Sequence, residues 1–149
     1  MCGFALQLAG CDGGASKRTS QYSSLVGTWR ILRVDTNIGQ FSLQDTVQVE
    51  FFPSGDRGRY YRLRRPSQPN SVVAEGAVDV PEANVLRMTE GFSAPLLWTF
   101  DFDQPNELTT SVRFYLQSRG DGSSQAFLNA IGRSGSARVL EMDLERESN

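Results

Sequence analysis

The chain has 149 residues, a formal net charge of -2 and 39% hydrophobic content, which suits one domain able to bury roughly two thirds of its unfolded surface. That charge offers no general attraction to nucleic acid, and no apolar run approaches the roughly 18 residues that a membrane-spanning helix needs. The sequence contains no His, which removes the commonest general base, the usual imidazole metal ligand and every Ser-His or Cys-His nucleophile. Catalysis, a metal site and a cofactor are therefore not expected.

Both cysteines, Cys2 and Cys11, lie at the N-terminal end, so no internal disulfide is expected to staple the rest. The stretch Leu8, Ala9, Gly10, Cys11 resembles the lipobox of bacterial lipoproteins, in which small residues admit the signal peptidase and the cysteine sulfur receives a diacylglycerol. The ten residues before it carry no Lys or Arg and are shorter than a complete signal peptide, so they read as the remnant of one, cleaved before Cys11. The resemblance implies an acyl-anchored protein of the cell envelope. Residues 12–24, DGGASKRTSQYSS, have the Gly, Ser and charge of a flexible tether that buries nothing.

From Leu25 the dominant signal is period-2 alternation in short runs, which predicts strands near 25–35, 45–53, 58–65, 71–80, 84–90, 95–103, 107–117 and 136–146. FPSGDRG, PEAN and DQPN are short links with turn chemistry. Parity then sorts the faces. Val47, Val49 and Phe51 oppose Gln48 and Glu50, and Trp98, Phe100 and Phe102 oppose Thr99, Asp101 and Asp103. Likewise Val112, Phe114 and Leu116 oppose Ser111 and Arg113, while Leu140, Met142 and Leu144 oppose Glu141, Asp143 and Glu145. Eight such strands predict an all-β, antiparallel up-and-down barrel, which removes exposed edges. An open sandwich is the competing architecture. Between the last two strands, QAFLNAIGR reads either as a two-turn helix capped by Ser123 or Ser124 that plugs one end, or as a hairpin partner of the last strand across RSGS.

LVGTWRILRVD opening eight predicted strands, then TVQVEFFPSGDRGRYYRL, EGAVDVPEANVLRMTE, LLWTFDFDQPNELTTSVRF and LEMDLER, resemble the bacterial lipocalin-like domains over residues 25–146. The resemblance implies a calycin-type barrel. It also implies that Gly27 and Trp29 close its base with an arginine packed over the indole, Arg146 or alternatively Arg138.

Inside such a barrel the register places Phe51, Tyr61, Trp98, Phe100, Phe102, Phe114 and Met142, with Arg59 or Tyr61 near a mouth. These aromatics leave a modest apolar cavity suited to a fatty acyl chain or a flat hydrophobic molecule. The alternative is a filled barrel acting as a structural or protein-interaction module of the envelope, such as an inhibitor or assembly subunit. In RGRYYRLRRP, alternation splits Arg62 and Arg64 from Arg57, Arg59 and Arg65, so a nucleic-acid strip is not expected. Asp101 and Asp103 share the wet face, and GDGSS at residues 120–124 lacks the further ligands of a calcium loop and reads as a turn.

Overall fold

Among the described residues the alternation of bulky and polar side chains builds nine strands: β1 Gly27–Thr36, β2 Gly39–Ser42, β3 Gln48–Gly55, β4 Gly58–Arg65, β5 Gln68–Glu82, β6 Val85–Met88, β7 Leu96–Phe102, β8 Ser111–Leu116 and β9 Val139–Arg146. The structure is a computed structural model that describes residues 16–42, 47–56, 58–65, 67–92, 95–103, 110–117, 123–131 and 138–147. Two helices join the strands, α1 over residues 16–25 and α2 Ser123–Ala130.

All strand pairings are antiparallel, and β9 returns to β1. The register from Trp29↔Arg146 to Thr36↔Val139 closes the sheet on itself, which excludes the open sandwich. The closed ring has eight strands, because β2 and β3 share one edge of β1: Arg33 pairs with Ser42, whereas Arg30 pairs with Gln48. Three steps along β1 are thus met by six on the neighbouring edge, so β2 is the first part of an interrupted second barrel strand. It was not expected from the sequence, where GQFS is too short to show a period. On the other edge, Trp29, Ile31, Val34 and Thr36 are buried. Their spacing slips by one residue where the β1–β9 register shifts between Ile31 and Arg33. This is a bulge written into the spacing of the apolar residues.

The segment QAFLNAIGR resolves in favour of the helix. Ala126, Phe127, Leu128 and Ile131 are buried on its barrel side, and Ser124 Oγ accepts a hydrogen bond from the Val139 N–H at 3.0 Å. The tether expected over residues 12–24 needs correction where it is described. Residues 16–25 are helical, and Tyr22 and Leu25 are buried in the core. The spacing of three places both side chains on one helix face, a signal masked by the Ser-rich composition around them. Cys11 and residues 12–15 lie outside the described residues, as do Arg57 and residues 120–122, where a turn is expected from the sequence.

Candidate functional site

At the base of the barrel, α1 crosses the opening and is fixed by its own side chains. The Tyr22 hydroxyl lies 2.6 Å from the Phe52 carbonyl and 3.3 Å from that of Tyr60, and Arg18 donates to the Pro81 carbonyl at 3.0 Å. Trp29 follows on β1, fully buried, and its indole N–H donates to the Leu25 carbonyl at 2.7 Å. Arg146 lies over that indole, 4.3 Å from guanidinium carbon to ring centroid, and its two amino groups donate to the Val26 and Ser24 carbonyls at 2.8 and 2.5 Å. Those carbonyls end α1, where the helix dipole favours a cation. Arg138 sits at the opposite end of β9, where its backbone bonds Asn37, so Arg146 is the arginine over the indole. Gly27 is part of the same joint. Its φ is +131°, and a Cβ there would lie 2.6 Å from Arg146 Nη1. The space it leaves is filled by the arginine.

Above this base the inward residues form one continuous series of rings. Phe102 meets Phe100 edge-on at 5.3 Å, Phe100 meets Phe114 at 5.8 Å, and Phe114 meets Trp98 edge-on at 6.1 Å. Trp98 then meets Phe127 of α2 at 5.3 Å, Phe127 meets Phe92 at 6.2 Å, and Phe92 stacks on Tyr61 at 6.1 Å with the rings nearly parallel. Phe51, Tyr61, Trp98, Phe100, Phe114 and Met142 are all buried, while Phe102 is only half-buried. The sequence reading had no place for Phe92, whose flanks carry no period, or for Tyr22.

Phe92 is held in position by the segment after β6. The Tyr61 hydroxyl donates to the Glu90 carbonyl at 2.5 Å, and burial, followed by the nearby Glu90, pushes that hydroxyl's pKa up. Gly91, with φ +97°, and Gly76 permit the close approach, since a Cβ on either would strike Tyr61, Glu75 or Glu90. The interior thus has a closure at each end, α1 at the base and α2 with Phe92 at the mouth. Within it, Trp98 Nε1 is buried without a hydrogen-bond partner among the described residues. Such a donor costs about 1–3 kcal/mol unless something accepts from it.

Arg59 stands at the end of the barrel that α1 covers. It lies beside α1 at the base, 4.9 Å over the Tyr22 ring, and lines an outer cavity of about 370 Å³ with Thr19, Ser23, Val26, Pro53 and Ser54. Parity gave its face and could not give its height along the barrel. Arg62 and Arg64 are paired with Glu75 and Glu50 on the outer wall at 2.9 and 3.0 Å, so the Arg–Tyr run does not form one cationic strip. Asp101 is exposed, and Asp103 accepts from the Thr110 hydroxyl and the Ser111 N–H at the β7–β8 link.

An eight-stranded antiparallel closed barrel of this form is consistent with a calycin-like fold. Comparison of the chain with protein-family models, with curated proteins and with solved structures returns no match in any of the three.

Proposed function

We propose that this is an extracytoplasmic, lipid-anchored binding protein that takes one small hydrophobic molecule into its barrel and performs no catalysis. The observation that carries the reading is the unpartnered Trp98 N–H inside an otherwise apolar interior. A core selected only for packing gains by placing Phe or Leu at such a position, because the lone donor is paid for without return. An anchor on Cys11 would hold this binding barrel at a membrane surface through its acyl chains alone.

A second reading is favoured by the ring series itself. Its members touch one another and are covered at both ends, as in a filled barrel whose outer surface docks envelope partners. The two readings separate in a ligand panel. The binding reading expects fatty acids or flat aromatic compounds to shift Trp fluorescence and raise the melting temperature. A panel that moves neither favours the docking module, and pull-down from envelope extracts then becomes the informative experiment. For the anchor, intact-mass analysis of protein from its native host should show cleavage before Cys11 and the added mass of acyl chains. An unmodified Cys11 would remove that part of the reading.

A further inference from the structure

We propose that α2 is a displaceable plug, and that the ring of Phe127 holds the place which a flat, uncharged aromatic molecule with one hydrogen-bond acceptor takes against Trp98. This rests on the binding reading and narrows it to a ligand class. Phe127 is inserted into the ring series from a helix rather than from the barrel wall, between Phe92 and Trp98. Its helix has eight residues, with no acidic residue in the first turn and no basic residue in the last. A helix that short does not sustain itself in water, and within Ser123–Ala130 no charged residue of its end turns complements its dipole. Its position depends on the burial of Ala126, Phe127, Leu128 and Ile131 and on the Ser124–Val139 hydrogen bond. Removing α2 from the mouth leaves the closed ring of strands intact.

The remaining surroundings select the occupant. The ring of Phe127 stands at 77° to the Trp98 indole, so the space it fills is a slot suited to another ring. Trp98 supplies a donor that has no acceptor among the described residues. Thr36 is the buried polar residue of the described core, and its hydroxyl already donates to the Gly39 carbonyl, while that of Tyr61 serves Glu90. Among the described core residues none is cationic, so a carboxylate carried inside would meet no counter-charge, which disfavours a fatty acid. A neutral ring nitrogen or carbonyl would complete the Trp98 hydrogen bond.

The test is calorimetric titration of the full chain at neutral pH with quinoline and with naphthalene, two flat molecules of similar size that differ in a ring-nitrogen acceptor. Quinoline is expected to bind about tenfold tighter, the worth of one buried hydrogen bond. Trp98→Phe should erase that preference while retaining binding of naphthalene. Phe127→Ala should tighten both by about tenfold or more, since the ligand no longer has to displace a ring. Phe127→Leu should act in the same direction and serves if the alanine variant fails to fold, as judged by near-ultraviolet circular dichroism. Affinities that are the same in the wild type and the Phe127 variants, or a quinoline preference that survives Trp98→Phe, would overturn the plug and leave the binding reading standing, whereas binding confined to the Phe127 variants would mean that the truncation created the space and would count against both. No binding of either compound to wild type or to a folded Phe127 variant would overturn both.

Discussion

Arg146 bonds the Val26 carbonyl across 120 positions of chain, and the residue that makes room for it, Gly27, is the next one along. The joint couples three requirements: a positive φ, absence of a Cβ, and a planar cation that can lie on an indole while bonding two carbonyls. Gly27→Ala should therefore cost about 1–3 kcal/mol in denaturant unfolding, from backbone strain and contact with the guanidinium together. In an Arg146→Ala background the same change should cost less, because only the backbone strain remains; additive costs would show that the two residues do not share this space. Trp29→Ala should cost about 3–5 kcal/mol, as large aromatic core truncations do. A cost well below that range would mean the indole is not the base of the core. The identity of this joint was legible in the sequence as far as Gly27 and Trp29. Of the two candidate arginines the resemblance favoured Arg146, and the pairing Trp29↔Arg146 sets its height at the indole.

At the scale of elements, α1 and the β1–β9 seam decide whether the barrel is closed. Alternation made the barrel strands readable, since each has one wet face and one buried face. It could not reveal α1, whose two anchoring residues are separated by helical spacing within a Ser-rich stretch. Tyr22→Phe, which removes the hydroxyl that bonds Phe52, should destabilise by about 1 kcal/mol. No change in the unfolding midpoint would show that α1 is held by apolar contact alone.

The seam carries a second testable property on its outer face. Arg33 and Arg113 both bond Asp143 at 2.6 Å, and Asp35 stands beside Glu141, with Arg33 3.7 Å from the Glu141 carboxylate. Burial, then the hydrogen bond with Asp35 and the charges of Asp35 and Asp143, raise the Glu141 pKa against the opposing pull of Arg113. A carboxyl raised on folding contributes stability that is whole below its unfolded pKa and is lost as pH rises through the folded one. Through this group, stability should therefore fall as pH rises past the ordinary carboxylate range. Glu141→Gln should match the wild type in acid, exceed it at neutral pH and flatten the profile. A wild-type profile that keeps its slope in Glu141→Gln would assign the dependence to another group.

For the whole molecule, a barrel closed at both ends looks finished, yet the buried Trp98 donor has no partner among the described residues. Six inward aromatics and Met142 could be read from parity, and most of them do converge. Parity fixes which wall a side chain faces and leaves open its height and what covers it, so it did not say which end Arg59 stands at, and Phe92 was missed. The central claim is that the interior receives a small molecule. Native mass spectrometry of the protein purified intact from its host tests it most directly. The account predicts a species heavier than the protein chain in its extracted form by one small-molecule mass, which disappears after organic extraction. A single species at one mass, unchanged by extraction and by addition of flat aromatic compounds, would contradict it.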